Sequence, residues 1–133
     1  MATGVGKGTL WTGRVVSALP VLVMAMSGAF KLVGAFTGGK ELLQNWARSG
    51  YPPGTLLPIG VLEIACALLY AFPRTSALGA VLVTGYLGGA VATHVRLSES
   101  TWIAPAVLGA LAWLGLFLRD PRLRALLPLR QDP

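Results

Sequence analysis

Four stretches of this chain stay apolar for nearly the length needed to cross a bilayer, and short polar breaks separate them. About 30 Å of hydrocarbon takes around 20 residues of helix, or somewhat fewer where the bilayer adapts. The runs extend from Val15 to Phe36, from about Leu56 to Phe72, from about Ser76 to Val95 and from about Trp102 to Leu118. Pro52, Pro53 and Pro58 crowd the start of the second run, and Pro73 with Arg74 interrupts the chain before the third. Proline lacks the N–H that a helix interior uses, so it marks these boundaries. The gap between the second and third runs is short enough to force an antiparallel hairpin. Between the first and second, Lys40 to Arg48 puts Leu42, Leu43 and Trp46 on one side of a short amphipathic helix, with Gly50 as its stop. That segment is expected to lie on the membrane surface. The pattern as a whole predicts an all-α integral membrane four-helix bundle, one domain over residues 1–133.

Composition supports this reading. Hydrophobic residues make up 54 % of the chain and charged ones 12 %, about half the charged share of a soluble domain. Too little polar surface is available for water to be the only solvent, so lipid is expected around the helices. The net charge of +6 does not imply nucleic acid, because the basic residues sit between apolar runs or at the chain ends and form no periodic face. Lys7, Arg14, Arg74, Arg119, Arg122, Arg124 and Arg130 fall on one side of the predicted bundle, against Lys40, Arg48 and Arg96 on the other. Positive loops stay inside, which predicts an N-in/C-in topology. Trp11 and Phe117 are then expected near the inner boundary, and Trp46, Tyr51 and Trp102 near the outer one. The tail from 119 to 133, rich in Arg and Leu, reads as an interfacial segment held at anionic headgroups. An alternative makes the first run a cleavable signal peptide, with Ala25, Ser27 and Ala29 as small residues for cleavage; the run continues past them, which favours retention.

Candidate chemistry is confined to a few polar side chains within the runs. A charged group in the middle of a membrane helix costs roughly 2.5 to 3.5 kcal/mol on insertion scales and usually faces the protein interior. Lys31 lies five residues before the outer end of the first run, and Glu63 seven residues after the outer start of the second. At about 1.5 Å per residue both lie roughly 7 to 11 Å below the outer boundary, so they can meet. A structural ion pair joining two helices is one outcome; a protonatable or ligand-contacting Glu63 in an outward pocket is the other. His94 and Arg96 end the third run at similar depth, either lining the rim above that pair or serving as boundary residues. Gly60, Ala67 and Tyr70 share a helical face with Glu63, and Tyr86, Ala90 and Thr93 form a comparable stripe. Tyr86 is placed to donate a hydrogen bond either to a ligand carbonyl or to a neighbouring backbone.

Gly85 and Gly89 form a G-x-x-x-G pair, which serves helix packing within the bundle or a homo-oligomer. The single cysteine, Cys66, excludes an intrachain disulfide and thiol-pair chemistry and reads as a small apolar filler. One histidine and one intramembrane carboxylate do not make a metal-ligand set, so no metal site is expected.

The run Gly60-Val-Leu-Glu63-Ile-Ala-Cys-Ala-Leu-Leu-Tyr70, then Pro73-Arg74-Thr75, then Leu82-Val-Thr84-Gly85-Tyr86-Leu-Gly88-Gly89-Ala90-Val-Ala-Thr93-His94-Val95-Arg96, resembles the DoxX-like family of small four-helix bacterial membrane proteins. Ser27-Gly28-Ala29-Phe30-Lys31 and Gly50-Tyr51-Pro52 resemble its first-helix and outer-loop patterns. The resemblance implies a multi-pass protein of the bacterial cytoplasmic membrane. Relatives include a subunit of a thiosulfate to quinone oxidoreductase and partners in membrane redox complexes. It also implies that Lys31, Glu63, His94 and Arg96 sit at positions that recur in the family.

Three functions fit. The first is a redox-linked subunit binding a quinone or another lipophilic ligand through Lys31, Glu63, Tyr86, His94 and Arg96. With no intrinsic cofactor motif or complete catalytic constellation, such a subunit takes electrons from a partner protein. The second is a proton-coupled carrier, like the small multidrug transporters, although the intramembrane glutamate is here on the second helix and not the first. The third is an assembly module without chemistry of its own.

Overall fold

A computed structural model of the chain describes residues 4 to 130. Six helices follow one another: α1 (Lys7–Thr37), α2 (Lys40–Arg48), α3 (Leu56–Ala71), α4 (Ser76–Arg96), α5 (Ile103–Arg119) and α6 (Pro121–Arg124). Short 3₁₀ turns, Pro53–Thr55 and Ser100–Trp102, lead into α3 and α5. Counting those turns, four of the helices are long and apolar enough to span a membrane. No strand occurs among the described residues, so the all-α class and the four-span bundle are as the hydrophobic pattern predicts.

α1 begins eight residues before the apolar run that starts at Val15, since nothing between Lys7 and Arg14 stops a helix. Its 31 residues amount to roughly 46 Å, more than the hydrocarbon thickness, so its first turns project into the headgroup layer. The far end closes at Gly38, left-handed with φ 67°, whose N–H reaches the carbonyl of Gly34. Glycine takes that conformation without a Cβ clash.

α1 packs against α3 and α5, and α4 packs against the same two, so the spans form a square with antiparallel neighbours. Small residues let the backbones approach, as packing in lipid requires. A Cβ added to Gly115 would come within 2.3 Å of Ser17 Oγ, closing the α1–α5 seam. One added to Gly28 would meet the Gly60 carbonyl at 3.0 Å, at the α1–α3 seam. The tightest approach to a backbone is at Gly79 on α4, where a Cβ would lie 2.2 Å from the backbone nitrogen of Tyr70. Gly85, Gly88 and Gly89 on the same helix have nothing within 4 Å of an added Cβ. The G-x-x-x-G pair therefore does not serve packing inside the bundle.

Met24, Cys66, Ala67, Tyr70, Val83 and Leu116 form much of the core. Outward-facing apolar residues are abundant, with Met26 73 % and Phe36 78 % exposed. A coat of this kind is stable against acyl chains and not against water.

The end where α1 begins and α5 finishes is firmly tied. The Tyr70 hydroxyl hydrogen-bonds Ser17 Oγ at 3.0 Å and donates to the Ala112 carbonyl at 2.5 Å, linking α3 to α1 and α5. Arg119 Nη2 donates to the Tyr70 carbonyl at 2.9 Å, and its guanidinium lies 4.9 Å from the centre of the Tyr70 ring. Beyond it, Asp120 caps α6 through the Arg122 N–H. Arg124 folds back to donate to the carbonyls of Phe117 and Leu118, which the end of α5 leaves free.

Gly79→Ala is expected to destabilise the protein by about 2 to 3 kcal/mol by forcing α4 off the Tyr70 backbone. Gly88→Ala, in open space, should be neutral or stabilising by up to about 1 kcal/mol. Reversible unfolding in mixed micelles titrated with SDS measures both; equal effects would show that the α3–α4 seam is not the tight one.

Candidate functional site

Lys31 and Glu63 meet across the α1–α3 seam, with Nζ 2.5 Å from Oε2. Their convergence follows from depth, since each lies two turns from the end of its helix on a face that packs against the other. Gly60, one turn before Glu63, keeps the seam close, since a Cβ there would lie 3.0 Å from the Lys31 Cβ. Gly28 does the same from α1. The Lys31 ammonium also donates to Ser27 Oγ at 2.7 Å. The Glu63 side chain is 5 % exposed and that of Lys31 15 %, so the carboxylate is enclosed while the ammonium keeps an outlet. Gly60, Glu63, Ala67 and Tyr70 are all buried, a single inward face as their spacing suggests.

That outlet is a cavity of about 370 Å³, within the usual size range of small-molecule sites. α1 contributes Lys31, α3 contributes Ile59 and Leu62, and α4 contributes Gly85, Tyr86, Gly89, Ala90, Thr93 and His94. The α4 stripe of Tyr86, Ala90 and Thr93 thus forms one wall.

Trp46, Ser49 and Tyr51 complete the lining at the end where α4 finishes. Leu42, Leu43 and Trp46 are the half-buried residues of α2, and Leu42 sits against Gly34 of α1. The Trp46 and Tyr51 rings stack with centroids 4.9 Å apart. Tyr51 shares a 2.8 Å hydrogen bond with Thr93 on α4, and Trp46 Nε1 donates to Thr55 at 3.0 Å. Trp46 and Tyr51 were legible only as interfacial aromatics, because nothing local to their sequence shows that the loop folds over the bundle.

The five candidate residues do not all converge. Lys31, Tyr86 and His94 line the cavity, and Glu63 stands behind Lys31. His94 is turned toward the loop after α4, with Nδ1 2.5 Å from Glu99 Oε2 and 3.1 Å from Thr101 Oγ1. Arg96 is not part of the lining. Its Nη2 donates to the carbonyl of Ser49, and its guanidinium lies over Gly50, whose φ of 86° leaves no Cβ in the way. Arg96 therefore ties the α2 loop to α4, a role its boundary position hinted at without naming a partner. Cys66 is buried in the core one turn beyond Glu63.

The chain's similarity to known proteins agrees with this architecture. The model of the DoxX-like family matches residues 15–115, about three quarters of the sequence, from early in α1 to near the end of α5. The chain belongs to the DoxX-like family, a multi-pass membrane protein with four apolar spans. No curated protein and no solved structure matches it.

Removing one partner of a buried ion pair strands the other, at a cost of about 3 to 5 kcal/mol. Glu63→Leu alone is expected to reach that range, and Lys31→Met alone to fall short of it, since the carboxylate can take up a proton. The double variant Lys31→Met/Glu63→Leu should recover most of the loss. A double-mutant cycle on unfolding free energies measures the coupling; additive effects would mean that the pair contributes no interaction.

Proposed function

We propose that the protein lies in the bacterial cytoplasmic membrane with both termini inside. In this reading it binds a quinone, or a lipophilic molecule with a similar polar head, in the outer-half cavity as the membrane subunit of a redox assembly. The topology rests on the charge bias: the end where α1 begins and α5 finishes carries Arg14, Arg119, Arg122 and Arg124, while Lys40, Arg48 and Arg96 mark the other. The single observation that carries the ligand reading is Lys31 Nζ. An ammonium has three N–H donors; Ser27 and Glu63 take two, and the side chain lines an otherwise largely apolar cavity.

A third donor facing such a cavity suits a carbonyl oxygen of a flat ring. Glu63 holds the ammonium in place, so the carbonyl would gain negative charge beside a fixed cation as it is reduced. Tyr86 offers a second polar contact on the α4 wall, and the pair His94 and Glu99 stands at the aqueous end, where protons are exchanged. Two electrons from a partner protein and two protons would convert a bound quinone to its quinol. The four helices contribute the binding, the orientation and the polar contacts.

A proton-coupled carrier is less well supported. Its carboxylate has to exchange protons with both sides in turn, whereas Glu63 is enclosed and bonded to Lys31. An assembly module could use the pair to align α1 with α3, but it gives the cavity beside the pair no role.

The test is extraction of the protein from native membranes in mild detergent, followed by quinone analysis of the purified sample. Quinone is expected in near-stoichiometric amount in the unaltered chain and to fall at least fivefold in Glu63→Gln. Quinone at the level of bulk lipid in both samples would remove the ligand reading. Uptake by proteoliposomes driven by a pH gradient would replace it with the carrier.

A further inference from the structure

We infer that the cavity opens sideways into the bilayer between α3 and α4, through a mouth shaped by Gly85 and Gly89. Its ligand is then a tailed amphiphile, whose head lies at Lys31 while its chain runs out between these two helices. This deepens the reading of the cavity as a lipophilic-ligand site and rests on it.

The first support is the absence of side chain at the mouth. Gly85 and Gly89 both line the cavity, both are exposed, and an added Cβ at either would meet nothing within 4 Å. Across from them Leu62 of α3 also lines the cavity and is 52 % exposed. The second is depth. Gly89 lies seven residues and Gly85 eleven before the outer end of α4 at Arg96, or roughly 10 and 16 Å below it along the helix. At that depth the surroundings are acyl chains and not water.

The third is the outer end, where contacts between the α2 loop and α4 cross above the cavity. Trp46 stacks on Tyr51, Tyr51 bonds Thr93, and Arg96 holds the Ser49 carbonyl. A water-soluble compound entering from that end would have to pass beside these contacts. A membrane-dissolved one arrives at the open side already desolvated. The polar head would find Lys31 about two turns below the outer surface, close to the depth of the mouth, so the ligand would lie across the bundle and not along its axis.

The experiment uses the full chain in nanodiscs, with two probes: a benzoquinone carrying a ten-carbon alkyl chain and the same ring without it. Occupancy is titrated by native mass spectrometry of protein released from the discs. Gly85→Leu and Gly89→Leu place a side chain in the mouth with its Cβ clear of every neighbour, and each is expected to weaken the tailed probe at least tenfold while changing the tail-less probe by less than threefold. Gly88→Leu is the control, since Gly88 is equally open but belongs to a separate groove between α4 and α5; it should leave both probes unaffected. Unchanged binding of the tailed probe in both mouth variants overturns the lateral mouth while leaving the ligand site intact. An equal loss in Gly88→Leu overturns it as well. If the unaltered protein binds neither probe, the quinone reading fails and the mouth as its entrance fails with it.

Discussion

Hydrocarbon offers an isolated charge almost nothing, so a lysine and a glutamate placed two turns deep in membrane helices hold each other there. That mutual dependence organises the half of the bundle where α1 and α4 finish. To meet Glu63 at 2.5 Å, α1 and α3 come close enough that a side chain at Gly28 or Gly60 would push its neighbours aside, and the seam between them is fixed in register. A slip of one residue along either helix would rotate one partner by about 100° and leave it facing lipid. The pair therefore specifies the alignment of two spans that hydrophobic packing alone, equally content with many registers in lipid, would leave loosely defined.

From this alignment the cavity follows. Lys31 is held at the boundary between the packed interior and an open wedge bounded by α3 and α4, and the two large polar groups at that depth, the ammonium and the Tyr86 phenol, face the same space. α4 has two halves of different character. Its Gly79 is pressed against α3, while Gly85 and Gly89 are not covered at all. The helices thus diverge from a tight crossing toward an unfilled gap, and the loop carrying Trp46 and Tyr51 covers the gap only from above.

Much of this was legible in the sequence where length and depth were sufficient. Apolar runs with proline at their edges define the spans, and counting residues from the ends of two runs brings Lys31 and Glu63 to one level. Glycines were not legible in the same way. Gly79, Gly85, Gly88 and Gly89 look alike in a list, and only the rotation of α4 against its neighbours decides which one touches a backbone and which one faces an opening. Partners beyond the membrane helices were equally hidden: His94 turning to Glu99, Arg96 reaching Ser49 and Tyr51 reaching Thr93 all depend on how the connecting segments fold, and such polar segments carry no periodicity to read. Tyr70 was visible as part of an inward face, but its bonds to Ser17 and Ala112 join positions 53 and 42 residues away, a relation that helical spacing does not encode.

Tyr70 has a mechanical consequence. Its hydroxyl engages α1 and α5, its carbonyl receives Arg119, and its backbone carries Gly79 of α4, so all four spans are clamped at one level near the end where the bundle starts and finishes. The opposite half has the ion pair on one side and a gap on the other. The base is accordingly fixed by contacts among the spans themselves, whereas the width of the gap is set from the far end, where the α2 loop reaches α4 through Tyr51 and Arg96.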